Sequence, residues 1–172
     1  MPLDGVVIRD ATEADAEALR AYATSLLAEN LPGIYGGPAP SLAEEIAYVR
    51  SRTAPANCAL IVAVRDGDVL GAVDFVGGHH AEEAHAGEFG VSVARGSRGC
   101  GLGTRLVDAL LAWAPTAGIR RVEVQVFACN PRALALYRRL GFEDEGVLRE
   151  ALMVDGEPVD MHVLARLLGS QA

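Results

Sequence analysis

The stretch Arg98-Gly99-Cys100-Gly101-Leu102-Gly103-Thr104 places three glycines within five residues, directly ahead of an apolar, helix-like run. Glycine at that density is entropically expensive to order, so it points to backbone that must approach something closely. A strand feeding such a turn into a helix leaves the first N–H groups of the helix without partners, and the helix dipole favours negative charge there. Gly99, Gly101 and Gly103 would let a phosphate rest on those amides without Cβ atoms in the way, with Arg98 and Arg105 as nearby charges. Taken alone, the loop leaves open an anion cradle or a tight turn that binds nothing.

Two nucleotide motifs compete for the same residues. All 15 Lys-plus-Arg positions are Arg, which excludes a Walker phosphate loop and any lysine Schiff base. A dinucleotide fingerprint needs a third glycine where Thr104 stands, and the preceding strands are hairpin-like, not the start of a βαβ unit. His79, His80 and His85 have no second ligand cluster and read as a solvated hairpin loop, so no metal is expected. Cys58, Cys100 and Cys129 form neither a metal spacing nor a disulfide framework, which fits a reducing cytoplasm; Cys129 is expected as a buried thiol.

The elements that must position these residues follow from periodicity and punctuation. Val6 to Arg9 reads as a strand, and Thr12 with Asp15 caps a helix carrying Leu19, Tyr22, Ala23 and Leu26 on one face. Ser41 and Glu44 form a capping box for a second helix, with Leu42, Ile46 and Val49 as its expected buried stripe. Ala59–Val64 and Val69–Val76 pair through an Asp66-Gly67 turn. Phe89, Val91 and Val93 alternate with Glu88, Gly90 and Ser92, giving a strand that ends just before the glycine loop; Gly90 inside it signals a bulge or a close approach. Leu102, Leu106, Leu110 and Trp113 make a helical stripe, and Val122, Val124 and Val126 a further strand. Asn130-Pro131 is a strong helix start, Gly141 its left-handed end, and two last strands flank Asp155-Gly156. One domain spanning residues 1–172 is expected, of α/β (α+β) type with a mixed, mostly antiparallel sheet.

Composition bounds the function. A formal charge of −8 and a pI near 4.9 argue against a nucleic-acid binder and agree loosely with a cationic acceptor. No run is long and uncharged enough for a membrane span, and the opening residues carry no secretory signal.

Two motifs in the right order give these pieces a family. Arg98 to Gly103 resembles the Arg/Gln-x-x-Gly-x-Gly/Ala signature of the GNAT superfamily of acetyl-CoA-dependent N-acetyltransferases. Asn130 to Phe142 resembles the same superfamily's Asn-x-x-Ala-x-x-Leu-Tyr-x-x-x-Gly-Phe element, and Ile8 to Asp15 its usual start. The resemblance implies about four helices flanking the sheet, and a splayed strand pair that holds the CoA arm. It implies that the pyrophosphate rests on Gly99, Gly101, Gly103 and Thr104 beside Arg98, that the arm pairs with backbone at Val91 and Val93, and that Asn130 lies along it. Val91 N–H is then the candidate donor to the thioester oxygen.

The resemblance also makes Tyr137 the donor to the leaving sulfur, in contact with the cofactor. Glu88 is the candidate base, directly or through water, although alternation sets it opposite Val91 and Val93 unless a bulge at Gly90 re-aims it. A water chain as base and a solvated Glu88 stay open. The expected acceptor is the amine of a small molecule or amino acid, with Tyr35 on the acceptor side. A protein N-terminus, or acetyl-CoA binding without turnover, are the alternatives. Family members often form homodimers, and the sequence leaves the oligomeric state open.

Overall fold

The alternating apolar runs and the glycine turns between them become the strands of one sheet. The structure, a computed structural model, describes residues 3–31, 34 and 36–169; Tyr35 lies outside the described residues. The strands are β1 (Val7–Asp10), β2 (Cys58–Arg65), β3 (Asp68–Gly77), β4 (Ala86–Val93), β5 (Arg121–Phe127), β6 (Glu143–Val154) and β7 (Glu157–Leu167). The helices are α1 (Ala16–Leu27), α2 (Leu42–Thr53), α3 (Leu102–Trp113) and α4 (Pro131–Arg139). The spatial order is β1-β2-β3-β4-β5-β7-β6, antiparallel throughout except for β4 with β5. The expected mixed, mostly antiparallel architecture is the one found.

Local chemistry accounts for the element ends. Asp66 and Gly67 have φ of 53° and 88°, and Asp155 and Gly156 have φ of 52° and 84°, the paired positive angles of tight hairpin turns. Ser41 and Glu44 cap α2 reciprocally: Ser41 N–H donates to the Glu44 carboxylate at 2.8 Å, and Glu44 N–H donates to the Ser41 hydroxyl at 3.3 Å. The Asn130 side chain accepts from Ala133 N–H at 3.1 Å, with Pro131 as the first residue of α4.

A core lies on each face of the sheet. On one, Phe75, Phe89, Val122 and Leu164 pack against Leu102, Leu106 and Leu110 of α3 and Tyr137 of α4. On the other, Leu60 and Val62 meet Leu19, Tyr22 and Leu26 of α1 and Val49 of α2. The expected α2 stripe is only partly right. Leu42, in the capped first turn, is 43% exposed, whereas Glu45 and Val49, one helical turn apart on the same face, are 5% and 0% exposed.

Two features of β4 decide where a site can form. Its parallel pairing with β5 covers only Ala86, Gly87 and Glu88, opposite Arg121, Val122 and Glu123. Beyond Glu88 the strands part: β4 stays on β3 as far as Val93, and β5 stays on β7 as far as Phe127. The bulge expected at Gly90 is not there, because the β3–β4 register runs unbroken from Gly77↔Gly87 to Gly71↔Val93. Gly90 serves a close approach instead, since a Cβ there would lie 3.1 Å from Asp74 Oδ1 on the facing strand.

Candidate active site

The gap between β4 and β5 is lined by backbone. Ala94 N–H donates to Leu70 O, and Gly78 N–H donates to Ala86 O, both at 2.9 Å, so the even-numbered residues of β4 turn their polar groups toward β3. Strand alternation therefore turns those of Phe89, Val91 and Val93 toward the gap. The Val93 carbonyl accepts there from Arg98 Nε at 2.8 Å. The Val91 N–H and carbonyl face the gap with no β5 residue in register.

The glycine loop closes one end of this gap. Gly99 and Gly101 have φ of 79° and 87°, a left-handed conformation that makes glycine the fitting residue at both. Gly101 precedes α3, whose first intrahelical bond is Arg105 N–H to Gly101 O at 3.1 Å, leaving the amides of Leu102, Gly103 and Thr104 directed out of the helix end. A Cβ on Gly101 would meet nothing within 4 Å, so the space beside it is open. Gly103 is ordinary helix, and its hypothetical Cβ would make a normal contact 3.7 Å from Val93 Cγ2. Loop, gap and α4 enclose a cavity of about 760 Å³ lined by Val91, Val93, Arg98, Gly99, Gly101, Gly103, Thr104, Asn130 and Tyr137. An open cradle of helix amides joined to a backbone-lined slot fits a long cosubstrate with a pyrophosphate and a peptide-like arm.

Of the two charges expected beside the loop, Arg105 is exposed and does not line this cavity, and Arg98 is already engaged. Arg98 is not a free cation: it donates to both Glu29 carboxylate oxygens at 2.7 Å as well as to Val93 O, tying the loop to the segment after α1. Arg132, which sequence reasoning missed, stands in the first turn of α4 and lines the same cavity. Its guanidinium would lie 3.7 Å from a Cβ on Gly99, and among the described residues it has no hydrogen-bond or ion-pair partner. Only its neighbouring motif hinted at it.

A second cavity, of about 920 Å³, opens on the α1 and α2 face of the sheet and shares Val91, Ser92, Gln125, Phe127 and Tyr137 with the first. Tyr137 is buried, with its ring edge-on to Phe89 at 5.5 Å and to Phe142 at 5.8 Å. Burial pushes its hydroxyl up to about 12, and that hydroxyl has no partner among the described residues. Alternation does set Glu88 opposite the Val91 and Val93 side chains, with Gly90 and Ser92. That is the face on which the second cavity lies, so no bulge is needed to aim Glu88 into it. Gln125 Nε2 donates to its carboxylate at 3.2 Å; partial burial, then the charges of Glu123 and Asp74, raise the Glu88 carboxyl above the ordinary range.

Other groups in this cavity were not singled out from sequence. Asp74, in the apolar run that follows Asp68 in β3, is raised by burial and held partly in check by Arg52, whose Nε donates to it at 3.3 Å. The Tyr22 hydroxyl donates to Ser92 Oγ at 2.8 Å and anchors α1 to β4. Cys129 is exposed in the turn after β5, a correction to the buried thiol expected there. His79, His80 and His85 are exposed, and among the described residues no group of three or more His, Cys, Asp or Glu could hold a metal ion. No helix among them is long and apolar enough to cross a membrane.

Fold and cavities together define a class, a mixed α/β protein whose parted strand pair and open helix end leave room for a long ligand. Comparison with known proteins identifies it. The model of the Acetyltransferase (GNAT) family matches residues 22–142. An L-amino acid N-acetyltransferase of Escherichia coli is 29% identical over 62% of this chain and 67% of its own. An L-methionine sulfoximine/L-methionine sulfone acetyltransferase of Pseudomonas paraeruginosa is 29% identical over 90% of each chain. A phosphinothricin acetyltransferase of Sinorhizobium meliloti, solved in complex with acetyl-CoA, superposes with a TM-score of 0.85 at 24% identity, over 96% of this chain and 89% of its own. The chain belongs to the Acetyltransferase (GNAT) family.

Proposed function

We propose that this protein moves the acetyl group of acetyl-CoA to the primary amine of a small molecule by direct attack. The observation that carries the proposal is the meeting of the two cavities at Val91, Gln125, Phe127 and Tyr137, which gives donor and acceptor one shared point. The names of the Escherichia coli and Pseudomonas relatives support an acceptor of amino-acid size.

Acetyl-CoA supplies an activated thioester; the rest is the work of side chains and amides. The Gly99–Thr104 backbone and Arg132 hold the pyrophosphate, and Arg98 keeps that loop in place through Glu29. Val91 and Val93 offer backbone groups to the arm, with Asn130 beside it. Val91 N–H donates to the thioester oxygen as negative charge develops on it. Glu88 takes a proton from the incoming ammonium, directly or through one water, freeing the nitrogen lone pair to attack the carbonyl carbon. As the C–N bond forms and the C–S bond breaks, Tyr137 gives its proton to the departing sulfur, and the second proton shed by the acylated nitrogen returns through water to the Tyr137 oxygen.

The test is release of CoA thiol from acetyl-CoA against a panel of amino acids, polyamines and peptides with free N-termini. Amine-dependent release with a small acceptor is expected. Preference for peptides would move the function to protein N-termini, and acetyl-CoA binding with no release against any amine would leave a binding module.

A further inference from the structure

The acceptor-side cavity holds a group that acetyl transfer itself does not use. Glu45 lines it and is 5% exposed, and among the described residues its carboxylate has neither a hydrogen bond nor an ion pair. Its neighbour Glu44 is committed to the Ser41 cap, so Glu45 is the uncommitted acid of that turn. It shares a face with Val49, which is fully buried, so the packing of α2 keeps it inward. Its carboxyl is raised by burial alone, the mark of a charge with no compensating partner. A carboxylate so placed is reached only from the cavity, and a donor entering there meets it partly desolvated.

The surroundings say what the donor is. Asp74 and Glu88 line the same cavity. Its one lining cation among the described residues is Arg52, already donating to Asp74 at 3.3 Å and stacked over Tyr48 at 5.0 Å. Glu45 on α2 and Glu88 on β4 line the cavity from different elements. An acceptor carboxylate entering here meets repulsion, and a second ammonium meets an unpartnered acid.

We propose that Glu45 anchors a second protonated nitrogen of the acceptor, so that the preferred acceptors are diamines and not free α-amino acids. The proposal rests on the acetyl-transfer reading above and assigns its acceptor class; Glu45 is a specificity residue, and Glu88 keeps the reacting nitrogen.

Calorimetry with putrescine and butylamine, alike in chain length and differing in the second nitrogen, tests it. Putrescine should bind the wild-type protein about tenfold tighter or more, as befits one charge-assisted hydrogen bond. Glu45→Gln should bring the putrescine-to-butylamine ratio close to one, while Glu17→Gln, on the exposed face of α1, should keep the wild-type ratio. In turnover, kcat/KM should rank putrescine above butylamine and above L-methionine. Equal affinities in the wild type, a ratio untouched by Glu45→Gln, or L-methionine as the better acceptor would each overturn the proposal. If Glu45→Gln does not fold, the wild-type ratio alone decides. If no amine releases CoA, the acetyl-transfer reading fails, and the calorimetric ratio still decides the role of Glu45.

Discussion

Tyr137 and Glu88 are displaced from solution behaviour in the same direction, for one cause that acts differently on each. Burial disfavours the anion in both, raising the phenol to about 12 and the carboxyl above its ordinary range. A raised phenol stays protonated at neutral pH, as a proton donor must; a raised carboxyl is a stronger base once ionised. Under the proposed mechanism, Tyr137→Phe should lower kcat by about 100-fold while the Kd for acetyl-CoA stays near wild type, read by stopped-flow and calorimetry. A wild-type kcat, with chemistry shown to limit turnover, removes Tyr137 from the reaction. Glu88 must be ionised to act, so its raised value moves the acidic limb of the kcat/KM profile upward in pH. Glu88→Gln should flatten that limb, and a profile of unchanged shape assigns the proton to a water chain.

At the scale of the element, the junction of β4 and α3 is a strand, a glycine turn and an open helix end in close succession. Its glycines are not equivalent. Gly101 needs its left-handed angle and borders open space, whereas Gly103 is ordinary helix with a normal contact. Gly101→Ala should therefore cost about 1–2 kcal/mol in stability and weaken acetyl-CoA binding, because its methyl projects into the cradle. Gly103→Ala should stabilise the folded protein by about 0.5–1 kcal/mol, the usual gain of alanine inside a helix. Denaturant melts of the two variants check the contrast, and a common loss of stability would overturn the distinction between the two glycines.

For the molecule as a whole, acid stability has an identifiable contributor where β1 meets α1. Asp15 accepts from Arg9 at 2.7 and 2.8 Å and from Thr12 N–H at 2.8 Å, which holds its carboxyl down at about 2. Because the folded value lies below the unfolded one, this stabilisation is fully present above about pH 4 and is lost as pH falls toward about 2. Asp15→Asn should lower stability at neutral pH by about 1–2 kcal/mol, allowing for the partial exposure of Arg9. It should also shallow the loss of stability between about pH 4 and 2 in urea titrations. An acid limb as steep as that of the wild type would place the sensitivity elsewhere.

The sequence by itself determined the features that depend on near neighbours. The hairpin turns at Asp66-Gly67 and Asp155-Gly156, the caps at Ser41 and Asn130, and the glycine loop ahead of α3 were legible because each is satisfied within a turn or two of chain. With them came the family resemblance, hence the fold and the cosubstrate. Only the tertiary structure decided what those pieces face. Arg98 reads from sequence as a charge beside the loop, but Glu29, 69 residues away, takes up its guanidinium. Gly90 marked a close approach whose partner, Asp74, lies on another strand. The inward turn of Glu45 is not readable from the sequence, because helical periodicity alone does not fix how a helix is rotated on a sheet. The same holds for Glu88: alternation set its side relative to Val91, but which side carries the second cavity depends on where β4 and β5 part and on how α1 and α2 cover that face.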